Sequence, residues 1–154
     1  MIILDKPFID SINPSPEKIR QILDNAKKIA VVGLSPKEER PSNMVARYLV
    51  KHGYSITPVN PGQKEILGEK CYGSIADIPH DVDMADLFLS SQRIPDAVDQ
   101  AINKGIKVIW MQLGVFHSEA CEKALKAGVT LVIDRCIKIE HERLSSAFHN
   151  LSVI

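Results

Sequence analysis

Between residues 28 and 133 the chain alternates short apolar runs with longer stretches in which apolar residues recur every third or fourth position. Lys28-Ile-Ala-Val-Val-Gly33 is the first run. It is too short for a helix, rich in β-branched residues and closed by glycine, so it predicts a buried strand. Ser55–Val59, Met84–Leu89, Lys107–Met111 and Thr130–Ile133 repeat the pattern. Pro58 falls near the end of the second run, where a missing ladder donor is tolerated. Between the runs the period lengthens. Ser15-Pro16-Glu17 offers an N-cap with proline in the first turn, and Ile19, Ile22, Leu23 and Ala26 then share one face. Ser42 is placed to cap a second helix with Met44, Val45, Tyr48 and Leu49 on its inner face, stopped by Gly53. Further helices are predicted from Arg93 to about Asn103, closed by Gly105, and from a cap at Ser118 to Ala127, closed by Gly128. His117, just before that cap, is expected to face solvent. Residues 1–14 read as an N-terminal arm. Residues 63–80 read as irregular, with an extended piece near Cys71-Tyr72 and a helical turn near Ser74–Ile78. The tail from Asp134 reads as partly helical.

Five alternations of strand and helix predict an α/β fold with a doubly wound five-stranded parallel sheet. No linker or repeat divides it, so residues 1–154 are expected to form a single domain with its core over about 15–144. In such folds ligands bind beyond the carboxyl ends of the strands, where the strand order reverses.

Composition narrows the partners. Lysines and arginines number 19 and acids 19, giving a formal net charge of zero. No global field draws the protein to nucleic acid or a membrane surface. No run nears the roughly 18 apolar residues of a membrane span, and the first residues carry no signal-peptide pattern. Cys71, Cys121 and Cys136 are odd in number and widely spaced, which fits a reducing, cytoplasmic setting. An anionic ligand would have to be held by local charge and backbone dipoles.

The strand ends supply candidates for that work. After the first strand come Gly33, Leu34, Ser35 and Pro36, then Lys37 and Arg40 before the next helix. Glycine permits a tight turn and close approach of a ligand, and amides at a helix start favour phosphate. A plain strand-to-helix turn with solvated charges would read the same. The loop is not a complete GxGxxG: Ser35 and Glu38 stand where the second and third glycines would be. The acid that binds a ribose 2′-hydroxyl at the end of strand two is replaced by Val59-Asn60-Pro61. That weakens the case for NAD. Lys64 follows that turn and suits an extra ribose phosphate, or is an ordinary exposed lysine. Ser90 to Arg93, Gln112 and the pair Arg135 and Lys138 follow the later strands. Cys136 is a reactive thiol or a half-buried small hydrophobe. Asp77, Asp81, Asp83 and Asp86 lie close together; Asp81 and Asp83 could meet a metal, but an exposed loop is the simpler expectation and no metal is expected. No HExxH, GxSxG or Walker A pattern occurs.

Several stretches together resemble the small coenzyme A-binding family, similar to the N-terminal domain of the succinyl-CoA synthetase α subunit. They are Ala30–Ser35, Arg40-Pro-Ser42, Val45–Leu49, Gly53-Tyr54, Pro58–Pro61, Glu65–Gly68, Ala76–Pro79, Trp110–Gly114 and Asp134–His141, spread in order over about residues 28 to 144. The resemblance implies a Rossmann-like fold with coenzyme A laid across the strand ends. It implies phosphates on Gly33, Leu34, Ser35 and Pro36, a lysine past strand two at Lys64, adenosine bordered by Asn60 and Pro61, and further contacts at Met111, Gln112 and Leu113. The synthetase also needs a second domain bearing a phosphorylated histidine and a partner subunit. With the sequence ending at Ile154, the expectation is a binder of coenzyme A or acyl-CoA rather than an enzyme. A nicotinamide-dependent reductase and a cofactor-binding subunit of a larger acyl-CoA enzyme remain as alternatives.

Overall fold

A computed structural model describes residues 6–153, with side chains over residues 6–145. Helices α1 (Lys6–Ile12) and α2 (Pro16–Asn25) lead into strand β1 (Lys28–Val32). Helix α3 (Pro41–Lys51) and strand β2 (Ser55–Val59) follow. A small antiparallel hairpin, β3 (Glu65–Ile66) and β4 (Glu69–Lys70), and a 3-10 turn at Ile75–Asp77 lead to β5 (Met84–Leu87). Then come α4 (Ile94–Lys104), β6 (Val108–Met111), α5 (Ser118–Lys126), β7 (Thr130–Val132) and α6 (Ile137–Val153).

The main sheet has the order β2-β1-β5-β6-β7, and every pairing is parallel. This is the doubly wound Rossmann-like α/β fold that the alternation predicts. Strand residues are buried on both faces, which is why the runs read as continuous rather than alternating. On one face Ile29, Val31, Met84 and Trp110 pack under α2 and α3. On the other, Ala30, Val32, Leu87 and Ile109 pack under α4 and α5.

Three local expectations change. The N-terminal arm is structured over residues 6–12: Ile9 of α1 enters the core and Phe8 meets Phe116 edge-on. Asn13 then pairs with Ile133, accepting its N–H at 2.6 Å and donating to its carbonyl at 2.8 Å. Residues 1–5 of the arm lie outside the described residues. Ser118 does not cap α5. His117 does, its Nδ1 accepting the Ala120 N–H at 3.2 Å, so His117 is half-buried rather than facing solvent. Ser42 is not the cap of α3; it lies in the first turn, buried, and its role is described below.

Candidate functional site

The strand order reverses between β1 and β5, and the loops leaving these strands part to open a crevice. Gly33 sits at its centre with φ +85°. Its N–H donates to Val59 O at 2.8 Å, and Phe88 N–H donates to Val32 O at 2.8 Å. The exit of β1 is thus held to β2 by the first bond and to β5 by the second, and the β1 and β5 exits frame the crevice. They pass so closely that a Cβ on residue 33 would lie 2.1 Å from Phe88 O. Only glycine meets both the dihedral and the contact.

Gly33 and Leu89 line two lobes that meet at this point. The larger, about 660 Å³, runs beneath the start of α3. Ser35, Lys37, Arg40 and Ser42, from the β1 exit and the start of α3, give polar lining; Phe88, Leu113, Val115 and Cys136, from the exits of β5, β6 and β7, give apolar lining, and Gln112 is a further polar group at the β6 exit. No acid lines this lobe, and neither Lys37 nor Arg40 forms an ion pair among the described residues. The smaller lobe, about 220 Å³, is bordered by Pro61, Ser74, Gln92 and Arg93.

Helix α3 begins at the larger lobe without a side-chain cap, whereas Ser15 caps α2 and His117 caps α5. Pro41 has no N–H and the Asn43 N–H donates to Arg40 O at 3.1 Å, so the Ser42 N–H and the positive end of the helix dipole are what this turn leaves for a ligand at the lobe that Pro41 and Ser42 line. Ser42 has turned back to the preceding loop: its Oγ accepts the Ser35 N–H at 3.0 Å. Asn43 donates to Ser35 O at 2.9 Å, and Ser35 Oγ accepts the Lys37 N–H at 3.1 Å. The loop is therefore preformed by its own hydrogen bonds, with one expected amide donor, that of Ser35, already engaged.

The remaining candidates divide. Gln112 lines the larger lobe and Pro61 the smaller. Leu34 is buried and lines neither; Pro36 is exposed beside the larger one. Asn60 is a brace: its Nδ2 donates to Leu34 O at 2.9 Å and its Oδ1 accepts the Gly62 N–H at 2.8 Å. Both ends of the amide are thereby used to fix the Gly33 loop against the turn after β2. Lys64 is exposed and lines neither lobe; its carbonyl accepts the Cys71 N–H at 2.9 Å. Arg135 stands apart as well. Its Nη1 donates to Asp134 O at 2.9 Å and its Nε lies 3.8 Å from the buried Glu140, which Arg143 also meets.

Two features escape sequence reasoning. Asp86 falls in β5, away from its acidic neighbours, and is 0% exposed. Its Oδ1 accepts the Gln112 side-chain N–H at 2.7 Å, and its Oδ2 has no partner. Burial pushes its carboxyl up to about 7, against the smaller opposing effect of the Gln112 hydrogen bond. An acid inside an otherwise apolar run is the signal that marks it. The second is the attachment of α6 to α3. Tyr48 and His141 Nδ1 hydrogen-bond at 2.6 Å, and His52 stacks on Tyr48. Burial, helped by nearby His52, holds the His141 imidazole below its usual range. This cluster keeps the start of α6, and with it Cys136, against the cleft. Asp83, by contrast, is a structural staple at the other end of the sheet, accepting the Lys27 and Lys28 N–H groups at 2.9 and 2.8 Å.

A family model described as a CoA binding domain matches residues 27–142. The chain is 37% identical over 129 residues to the uncharacterized protein YneT of Bacillus subtilis, covering 84% of this chain and 96% of that protein. It is 31% identical over 121 residues to the ADP-forming acetate–CoA ligase I of Archaeoglobus fulgidus, covering 72% of this chain but only 18% of the ligase. The chain thus spans a small part of the length of that ligase. A solved structure of a hypothetical protein from Pyrococcus horikoshii OT3 superposes with a TM-score of 0.84 at 49% identity, over 85% of this chain and 92% of that one.

Proposed function

Because the chain belongs to the CoA-binding domain family, we propose that it binds coenzyme A or an acyl-coenzyme A in the crevice at the β1–β5 switch point. The observation that carries this reading is the larger lobe itself. It joins an uncapped helix start and two cations that have, among the described residues, no ion-pair partner and no lining acid beside them, to apolar lining from the later strand exits. Phosphates suit the polar lining, through the α3 dipole, Lys37 and Arg40. The uncharged pantetheine arm suits the apolar lining. Adenosine suits the smaller lobe beside Pro61 and Arg93, and Lys64, exposed three residues after Pro61, is assigned the 3′-phosphate. NAD fits less well, because Asn60 stands where the ribose acid belongs and its side chain is already committed to Leu34 and Gly62.

The reading is of a binder without turnover of its own, in a cytoplasmic setting. Among the described residues no histidine lines either lobe, and Cys136 is the one thiol that does. A role as the cofactor-binding part of a larger acyl-CoA enzyme is supported by the ligase that shares this region.

Calorimetric titration with coenzyme A, dephospho-coenzyme A and NAD tests the reading. Coenzyme A is expected to bind most tightly and NAD least. Lys64→Ala should weaken coenzyme A by about 1–3 kcal/mol and leave dephospho-coenzyme A unchanged. Equal affinity for the two coenzyme forms would remove the 3′-phosphate role of Lys64. NAD binding more tightly than coenzyme A would overturn the reading.

A further inference from the structure

Gln112 is the polar residue that the β6 exit contributes to the lining of the larger lobe, and its amide has two chemically different ends. One is fixed by the interior. Asp86 Oδ1 lies 2.7 Å from Gln112 Nε2, with Asp86 fully buried and Gln112 almost so. Gln112 turns its NH2 inward to donate to that oxygen, the orientation an acceptor-only carboxylate requires. The same holds when the carboxyl is protonated on Oδ2, the oxygen without a partner. The carbonyl end, Oε1, meets no donor among the described residues and is not sealed from solvent.

The backbone holds the pair in place. Asp86 is in register with Trp110 of β6, two residues before Gln112, so both side chains lie on the α3 face of the sheet. Gln112 N–H reaches Leu87 O at 3.4 Å, and its own carbonyl accepts the Val115 N–H at 2.9 Å. Gly114 N–H is tied to Asp134 at 2.9 Å. The loop that carries Gln112 is therefore anchored on both sides.

We propose that Asp86 is a positioning residue that orients Gln112 so that its Oε1 is a fixed hydrogen-bond acceptor on the cleft floor, selecting a ligand with a neutral N–H donor there. A buried acid kept at the cost of its own desolvation points to such a role, since an apolar residue would serve the sheet better. Resting on the coenzyme A reading, that donor is a pantetheine amide, the uncharged N–H of the portion that suits the apolar lining. Anionic or acceptor-only groups at this point are disfavoured.

The test is a calorimetric cycle on the whole chain. Asp86→Val frees the Gln112 amide to rotate and should weaken coenzyme A about fivefold; Asp86→Asn keeps an acceptor and should stay within about twofold. Gln112→Met should weaken binding about tenfold, and adding Asp86→Val to it should change nothing further. A loss from Asp86→Val that is the same in both backgrounds, or no loss in either, overturns the proposal. A second measurement stands if Asp86→Val does not fold. Coenzyme A analogues with an ester oxygen in place of each pantetheine N–H are compared on the wild type and Gln112→Met. One analogue should lose about tenfold on the wild type and nothing on the variant; a loss for neither, or an equal loss on both proteins, contradicts the proposal. Failure of the wild type to bind coenzyme A at all would instead be failure of the functional reading.

Discussion

Gly33→Ala is expected to destabilise the protein by about 3–4 kcal/mol and to abolish cofactor binding, measured by urea denaturation and by titration. Two effects add. At φ +85° an L side chain is strained, which costs about 1–2 kcal/mol. The new Cβ would also stand 2.1 Å from Phe88 O, so the β1 and β5 loops must separate. That separation breaks the hydrogen bond holding them, Phe88 N–H to Val32 O, and strains the Gly33 N–H to Val59 O bond that ties the same turn to β2, at the seam of the two lobes. Gly128→Ala separates the two effects. Its φ is +84°, yet nothing lies within 4 Å of its added Cβ. It should cost only about 1 kcal/mol and leave binding intact. Equal losses for the two variants would show that the dihedral alone matters and that the close approach does not.

Asp86→Asn is expected to change how stability depends on pH. Burial pushes the folded-state carboxyl up to about 7 from its ordinary 3.8. Below about 4 both folded and unfolded forms carry the proton, and Asp86 costs nothing by titration. Between about 4 and 7 the unfolded chain gives up its proton while the folded chain keeps it, so stability falls as pH rises. Above 7 the cost is complete, at most roughly 4 kcal/mol. The asparagine variant lacks this titration. Its stability relative to wild type should therefore rise from pH 4 to pH 8, read from urea midpoints at both ends of the range. A difference that stays constant with pH would show that Asp86 titrates as an ordinary solvated acid.

The two variants explain what was legible in the sequence. The five strands were, because each is buried on both faces and so reads as an uninterrupted apolar run between glycines and caps. The Gly33 turn was legible for the same reason. Strand order was not. Alternation predicts a doubly wound sheet, but that β1 lies between β2 and β5 depends on pairings far apart in the chain. Caps misled where two residues could serve. Ser118 has the better capping chemistry, yet His117 is the one whose backbone is extended at the helix start. Ser42 was claimed by the loop before it rather than by its helix. The polar members of the site split for a physical reason as well. Asn60 and Arg135 have protein partners within reach, Leu34 and Gly62 for the amide and Glu140 for the guanidinium, which only the fold brings to them. Asp86 was visible as a letter and hidden as a role, because only the fold brings Gln112 of β6's exit over it.

The central claim is a location: coenzyme A at the carboxyl ends of β1 and β5. Amide chemical shifts of the labelled chain, followed by NMR during titration with coenzyme A, test it most directly. The predicted result is saturable movement of Gly33, Leu34, Ser35, Phe88, Gln112 and Leu113, with Lys28, Lys107 and Thr130 at the opposite ends of the strands unmoved. Movement confined to those opposite ends, or no movement at saturating coenzyme A, would contradict it.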